Sequence, residues 1–356
     1  MRSFIVLLCF CCLSALDAQE SSTLIVQDIE AIVQNQVDNQ NFSGVVLVAD
    51  QGEPIFHEAY GLGYRKADQK IQKDFHFSIA SITKLFTAIV ILQLEQEAKL
   101  SLDQCLGTWF PDWDLPNVSK ITPHHLLLHI SGLKNESNQL YHKMYSNEEM
   151  IQLSQQKNKG DQFGNFNYNN VDYFMLGAII EKIEGKPWSK VVEERILNPL
   201  AMTETGFLAY GKYPKQFAYT YTVSKKGKYT QDPFFYIQNF GAAGNMYATA
   251  GDLLRLDQAL YSGQLLGADA MKKLSTSYPE YNYTGYSVWN YRYPFIDAKP
   301  MIMERRGGIL GANVVLIRLT EQKKTIIILS NNDQFNPDSF GDATNLREAL
   351  IRKISK

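Results

Sequence analysis

The feature that most constrains this sequence is an apolar run from Phe77 to Leu94 in which Lys84 is the only charged residue. A helix that is apolar on every side is normally buried in a protein core. Burying an ammonium group is costly unless the group is paired, or unless its pKa falls until the amine is neutral. The run therefore predicts a core helix that carries a lysine amine in a poorly hydrated environment.

A serine precedes this lysine at helical spacing. Ser81 lies three residues before Lys84, so the hydroxyl and the amine face the same side of the predicted helix. Ser78 is the expected N-cap, which places Ser81 in the first turn, where the helix dipole favours developing negative charge. A partly neutral amine beside a hydroxyl is an activated nucleophile pair. The same spacing also arises by chance, and a lysine can extend its amine to the surface, so the run alone leaves both interpretations open.

Strand patterns lie at both ends of the chain, and helix patterns dominate its middle. The predicted strands are Gly44–Val48, Glu53–Ala59, Asn313–Leu319 and Thr325–Leu329. The predicted helices are Ile25–Val37, Phe77–Leu94, Thr122–His129, Val171–Glu184, Thr249–Ser262 and Asp342–Ile354. This order predicts an α/β fold of the α+β type, in which one antiparallel sheet, built from the N- and C-terminal parts, is flanked by helices. A mainly helical insertion is expected at roughly residues 95–240.

The first 18 residues have the layout of a cleavable signal peptide. Arg2 is followed by an apolar run, Phe4–Leu13, and the small residue Ala18 precedes polar residues. That run is too short for a membrane span, and no later stretch is long and apolar enough for one. We therefore expect an exported, periplasmic or secreted protein whose residues 19–356 form one domain without a transmembrane segment. Only Cys105 would remain after cleavage, which excludes an intrachain disulfide.

Charge and motifs argue against several function classes. The formal net charge of −2 gives no electrostatic reason to expect nucleic acid as a partner. The sequence contains neither the Gly-x-Ser-x-Gly elbow of α/β-hydrolases nor a phosphate-binding glycine-rich loop. His125 and His129 are four residues apart, but no glutamate lies between them as in the zinc-binding His-Glu-x-x-His pattern. We therefore expect neither a metal nor another cofactor.

Several motifs, in order along the chain, resemble those of the serine β-lactamase and penicillin-binding-protein superfamily, in particular its class C β-lactamase-like branch. Ser81 and Lys84 match the first family motif, Ser-x-x-Lys, and Tyr168-Asn169-Asn170 matches the second, Tyr-x-Asn. Further segments that resemble the family are Ile121–Leu133, Asn198–Thr205 and Gly241–Gly244. Several ordered motifs are far more specific than any one of them.

The third motif departs from the family pattern. Where the family has Lys-Thr-Gly or His-x-Gly, this chain has Arg305-Arg306-Gly307, and Gly308 follows. Arginine stays charged and can bind a carboxylate through two hydrogen bonds, but it does not pass on a proton. We therefore expect Arg305 to favour substrates with a free carboxylate over neutral esters, and the two glycines to leave room for the substrate. The alternative is that Arg305 pairs with Glu304 or another surface acid.

The resemblance implies an acyl-enzyme mechanism. Ser81 would attack a carbonyl carbon, with Lys84, Tyr168 or the two sharing one proton as general base. Asn170 would orient the amine and bind a substrate amide, and the backbone N–H groups of Ser81 and Gly308 would form the oxyanion hole. The expected substrates are D-amino-acid peptides, β-lactams or esters, including peptidoglycan-derived compounds. The alternative function is a non-catalytic sensor of peptides or peptidoglycan.

Overall fold

The computed structural model describes residues 23–355. The predicted signal peptide therefore lies outside the described residues. Within the described range, no helix is both long enough and apolar enough to cross a membrane.

A six-stranded antiparallel sheet joins the two ends of the chain, as the sequence predicts. The strands of the protein are β1 (Gly44–Asp50), β2 (Glu53–Tyr60), β3 (Leu62–Tyr64), β4 (Gln69–Lys70), β5 (Phe77–Ser78), β6 (Gly206–Phe207), β7 (Tyr221–Val223), β8 (Tyr229–Gln231), β9 (Met246–Ala248), β10 (Trp289–Arg292), β11 (Met301–Ile309), β12 (Ala312–Leu319) and β13 (Lys324–Ser330). The order in the main sheet is β10-β11-β12-β13-β1-β2, while β5, β9 and β6 form a small second sheet.

Helices cover both faces of the main sheet. They are α1 (residues 23–38), α2 (Thr83–Gln96), α3 (Pro123–Leu127), α4 (Asn147–Ser154), α5 (Val171–Glu184), α6 (Trp188–Val192), α7 (Gly241–Gly244), α8 (Ala250–Tyr261), α9 (Ala268–Ser275) and α10 (Leu346–Ile354). The first and last helices, α1 and α10, pack on one face, and the remaining helices contribute to the core on the other. The predicted helix Val171–Glu184 is confirmed as α5, which ends at Gly185 with a left-handed φ of 65°.

The central strand β1 shows why the sheet is buried on both sides. Val45, Leu47 and Ala49 point into the larger core with the middle helices. Val46 and Val48 point the other way, into a smaller core with α1 and α10. Successive side chains of a strand face opposite sides of a sheet, so a continuous apolar run fits a strand that is covered on both faces.

The segment before α2 differs from the sequence prediction. Phe77 and Ser78 form β5, which pairs with β9, and one 3₁₀ turn, Ala80–Ile82, then leads into α2. Ser78 is therefore a strand residue and not the helix N-cap. The helix predicted from Phe77 begins at Thr83, because the preceding residues pair with a strand far away in the sequence.

Candidate active site

Ser81 lies in the tight turn between β5 and α2. The Ile82 N–H donates a 2.9 Å hydrogen bond to the Ile79 carbonyl oxygen across this turn. Ala80 has a φ of 44°, a left-handed conformation that residues other than glycine rarely adopt. Ala80 and Ile82 are fully buried, whereas Ser81 is partly exposed and lines a cleft. The turn thus buries the two neighbours and presents the hydroxyl of Ser81.

The fully buried side chain of Lys84 reaches this hydroxyl from the first turn of α2. Its Nζ lies 3.2 Å from Ser81 Oγ, 2.7 Å from Asn170 Oδ1 and 2.9 Å from the Ala243 carbonyl oxygen. The amide and carbonyl oxygens only accept hydrogen bonds, so a neutral amine would donate its two N–H bonds to them. Its lone pair would then face Ser81 Oγ, which is the arrangement that a general base needs.

Burial is the main cause that lowers the pKa of Lys84. The positive charge of Arg305 lowers this pKa further, while Tyr168 and Glu136 act in the opposite direction. Because the pKa decreases overall, a larger fraction of the amine is neutral at a given pH than in an exposed lysine. The structure thus places the Lys84 amine in a buried position beside the Ser81 hydroxyl, as the sequence predicts.

Tyr168, in the loop before α5, brings a phenol to the same place. Lys84 Nζ lies 5.1 Å from the centre of its ring, and Arg305 Nη2 donates a 2.6 Å hydrogen bond to its Oη. Burial by itself would raise the pKa of Tyr168. The charges of Arg305 and Lys84, and hydrogen bonds that involve Ser81 and Lys84, outweigh burial and lower this pKa to about 8. Tyr168 is thus a second group that can hold or release a proton near neutral pH.

Arg305 lies behind these groups, with only 2% of its surface exposed. Its Nε donates a 2.7 Å hydrogen bond to the Ser81 carbonyl oxygen, and its Nη2 bonds the phenol of Tyr168. Glu304, the alternative partner considered above, pairs instead with Arg347 at 2.6 Å. Because Arg305 is buried and bound to the protein's own site, this geometry argues against both expectations, the grip on a substrate carboxylate and the surface ion pair.

Asn170 makes the contact with the Lys84 amine that the sequence analysis expected. Its Nδ2 donates a 2.7 Å hydrogen bond to Glu136 Oε1, which also accepts a 2.5 Å hydrogen bond from Tyr141 Oη. Sequence reasoning missed Glu136 and Tyr141, because they belong to a loop whose approach to Asn170 is not encoded by any local motif. They fix the orientation of the Asn170 amide, so that its oxygen faces Lys84.

A buried polar network supports the Tyr168 loop. Asp172 is fully buried and accepts hydrogen bonds from Ser131 Oγ and, at 2.9 Å, from Asn169 Nδ2. The centres of the His129 and Tyr168 rings lie 4.4 Å apart. Burial moves the pKa of His129 well below its ordinary value and that of Asp172 well above, so both groups tend to be neutral. In residues 23–355, no group of three or more His, Cys, Asp or Glu residues is placed to hold a metal ion.

Strand β11 passes so close to the Ser81 turn that Gly307 has no space for a side chain. A Cβ atom on Gly307 would lie 2.6 Å from the Ile79 carbonyl oxygen and 3.0 Å from the Ser81 nitrogen. Gly308, the next residue, lines the same cleft as Ser81. Ser81 and Gly308 thus border one cleft, and the formation of an oxyanion hole by their N–H groups stays a prediction.

Replacing Gly307 with alanine is expected to lower kcat/KM by about 10- to 100-fold, because the added Cβ pushes β11 away from Ser81 and misplaces the reacting groups. Steady-state kinetics on an ester substrate, with thermal unfolding as a check on folding, measures the effect. Gly308→Ala is the matched control, since its Cβ would meet only Asn313 Oδ1, at 3.4 Å, and should cost much less. Wild-type kinetics for Gly307→Ala would contradict the close approach.

The site opens into a cleft of about 410 Å³. Aromatic and apolar side chains form most of its walls, among them Tyr141, Phe235, Phe240, Ile309 and Leu310. Of the described residues that line it, none is lysine or arginine. A cleft with apolar walls and a few placed polar groups is typical of a small-molecule or short-peptide site.

A partly exposed serine hydroxyl, a buried amine and a phenol with a lowered pKa, held between an antiparallel sheet and its helices, define a serine hydrolase of the penicillin-binding-protein type. A family profile described as Beta-lactamase matches residues 29–351. The chain therefore belongs to the beta-lactamase family. The predicted fold class and the resemblance drawn from the motifs are both confirmed.

Relatives and solved structures agree with this assignment. The chain is 25% identical over 329 residues to Penicillin-binding protein 4* of Bacillus subtilis (strain 168), covering 86% of this chain and 72% of that protein. It is 26% identical over 307 residues to Teichoic acid D-alanine hydrolase of Staphylococcus aureus (strain MRSA252), covering 85% of this chain and 74% of that protein. Its fold is similar to that of D-amino acid amidase from Ochrobactrum anthropi SV3 complexed with D-phenylalanine, with a TM-score of 0.78 and 22% identity. The similarity covers 93% of this chain and 98% of that chain.

Proposed function

We propose that the protein is an exported acyl hydrolase that cleaves amide or ester bonds through a covalent acyl-enzyme on Ser81. The observation that carries the proposal is the buried Lys84 amine, 3.2 Å from Ser81 Oγ and fixed by two further acceptors. Export rests on the signal-peptide pattern of the first 18 residues.

The reaction has two balanced halves. Ser81 Oγ forms a bond to the carbonyl carbon, and its proton moves to the Lys84–Tyr168 pair. The N–H groups of Ser81 and Gly308 stabilise the oxyanion. The bond to the leaving group then breaks, and the leaving nitrogen or oxygen takes that proton. Water next adds to the acyl carbon and gives a proton to the same pair, which returns it to Ser81 as the carboxylic acid departs.

Two observations support D-aminoacyl esters and amides as the substrate class. The similar proteins include one named for D-alanine hydrolysis from teichoic acid and one named for amidase action on D-amino acids. The cleft walls in the described chain carry neither lysine nor arginine, which supports acyl donors without a free carboxylate. We therefore rank such esters and amides above β-lactams and D-Ala-D-Ala peptides, which carry one.

A fluorophosphonate probe tests the proposal directly, because it reacts with activated serines. We expect one probe per folded protein, located by peptide mapping at Ser81 and lost in Ser81→Ala and in heat-unfolded protein. The unlabelled wild-type protein should hydrolyse D-alanine esters faster than nitrocefin, and labelling of Ser81 should abolish both activities. A folded protein that takes no probe, or that is labelled equally in Ser81→Ala, would overturn the proposal and favour the non-catalytic sensor.

A further inference from the structure

Glu136 is an acidic side chain close to the base that no step of the proposed reaction uses. It lies in the loop between α3 and α4, and its Oε1 accepts a 2.7 Å hydrogen bond from Asn170 Nδ2. The other end of that amide, Oδ1, lies 2.7 Å from Lys84 Nζ. Asn135 Oδ1 holds the same loop in place by accepting a 2.9 Å hydrogen bond from the Asn170 backbone N–H. A single amide group therefore connects the carboxylate to the amine.

The direction of the Asn170 amide decides what the amine can do. The two ends of an asparagine amide have nearly the same shape, but one end only donates hydrogen bonds and the other only accepts them. An ionised carboxylate only accepts, so Glu136 selects the direction in which Nδ2 faces it and Oδ1 faces the amine. In the reverse direction, Nδ2 would donate to the lone pair of Lys84. The amine could then only donate to Ser81 Oγ and could not take its proton.

We propose that Glu136 is a positioning residue, which keeps the lone pair of Lys84 free for Ser81 by blocking the reverse direction of the Asn170 amide. Glu136 acts through Asn170 and does not take the proton itself. Tyr141 Oη, which donates a 2.5 Å hydrogen bond to Glu136 Oε1, holds the carboxylate from the side of the cleft wall. The inference rests on the proposed function, because a free lone pair matters only if Ser81 is the nucleophile.

The charge of Glu136 gives this role a second, independent readout. Burial, the largest influence, and the charge of Arg305 lower the pKa of Lys84, whereas Tyr168 and the charge of Glu136 raise it. The titratable groups that face the amine or interact with its charge are Tyr168 before α5, Asp172 and Tyr173 in α5, His129 after α3, Arg305 in β11, and Glu136. Without the negative charge of Glu136 the pKa of Lys84 falls, so the amine loses its proton at lower pH.

The variant Glu136→Gln tests the proposal through the pH profile of kcat/KM on an ester substrate. Glutamine can turn either end of its amide towards Asn170, because Glu136 Oε2 has no hydrogen-bond partner in residues 23–355 that would select one. We expect the maximum kcat/KM to fall about tenfold, the effect of one ordinary hydrogen bond, and the acidic limb to move to lower pH. Glu136→Asp keeps the charge, so its acidic limb should stay near that of the wild type. Glu148→Gln, which removes the same charge from an exposed position in α4, is the matched control.

A second pair of variants reverses the polarity of the contact. Asn170→Asp places two carboxylates against each other where Nδ2 and Oε1 now lie 2.7 Å apart, so we expect a larger loss than in Glu136→Gln. Adding Glu136→Gln to Asn170→Asp supplies an Nε2 donor for the new carboxylate. The double variant should therefore have a higher kcat/KM than Asn170→Asp alone.

The outcomes separate this inference from the function on which it rests. A lower maximum with the acidic limb unmoved would mean that Glu136 only supports the loop, and it would overturn the positioning role. A wild-type profile for Glu136→Gln, or a double variant no better than Asn170→Asp, would overturn it as well. In each of these cases, probe labelling of wild-type Ser81 would leave the hydrolase intact. Failure of the probe to label wild-type Ser81 would overturn both. Thermal unfolding checks each variant, and Glu136→Ala gives the same limb shift if Glu136→Gln does not fold.

Discussion

Replacing Lys84 with methionine is expected to lower kcat/KM by about 10,000-fold, because a serine without its base is a weak nucleophile near neutral pH. The amine is the group whose lone pair can face Ser81 Oγ once Asn170 Oδ1 and the Ala243 carbonyl oxygen take its two N–H bonds. Kinetics on the best ester substrate, together with the yield of the Ser81 probe adduct, measures the loss.

Stability separates this effect from unfolding. Methionine has a shape similar to the lysine stem and suits the apolar surroundings of α2, and its introduction removes the cost of burying a charge. It leaves two acceptors unpaired, which costs about 1–3 kcal/mol each. These effects oppose each other, so we expect the free energy of unfolding to change by no more than about 3 kcal/mol.

The variant Lys84→Arg tests whether residue 84 must lose its proton. Its guanidinium keeps the positive charge but does not lose a proton at accessible pH. If deprotonation of residue 84 is what matters, this variant should be as inactive as Lys84→Met. A Lys84→Met enzyme that keeps more than about a tenth of wild-type kcat/KM would mean that the amine is dispensable and that Tyr168 alone serves as base.

The sequence predicts most of the fold where local pattern and burial agree. The helix α5 has its expected ends because Gly185 stops it, and the β1–β2 hairpin forms because Gln51 and Gly52 adopt φ values of 51° and 88°. Phe77 and Ser78 look helical by composition, yet they pair with β9, about 170 residues further on. A short stretch of sequence does not reveal the energy of such a long-range pairing. The predicted start of α2 at Phe77 was therefore wrong.

The site divides in the same way. Ser81 and Lys84 could be predicted because a lone charge in an apolar run is locally anomalous. The direction of the Arg305 side chain could not be predicted. Neighbouring side chains of a strand point to opposite faces, and only the register of β11 decides which face meets the nucleophile. Glu304 therefore pairs with Arg347 on one side, while Arg305 faces Ser81 on the other.

Replacing Arg305 with methionine is expected to lower kcat/KM at pH 7 by about 1,000-fold and to move the acidic limb of the pH profile upward. The charge of Arg305 helps to lower the pKa of Tyr168 from 10.0 to about 8, and it also lowers that of Lys84. Without this charge both pKa values rise, so both groups hold their protons to higher pH and less of the basic form exists at neutral pH. Each unit by which these pKa values rise accounts for about tenfold of the loss, and the broken hydrogen bond to the Ser81 carbonyl oxygen adds to it.

The pH profile distinguishes this role from simple packing. Arg305→Met should recover part of its kcat/KM between pH 8 and 10, because the bases then lose their protons, whereas the loss from a displaced Ser81 turn stays the same at every pH. Arg305→Lys keeps the charge but loses the pair of hydrogen bonds to Ser81 and Tyr168. The acidic limb of its pH profile should therefore lie near that of the wild type, with a lower maximum kcat/KM. An acidic limb that stays in place in Arg305→Met would show that the guanidinium supports the turn without tuning the bases, since a charge 2.6 Å from the phenol oxygen must move that titration if the phenol takes part.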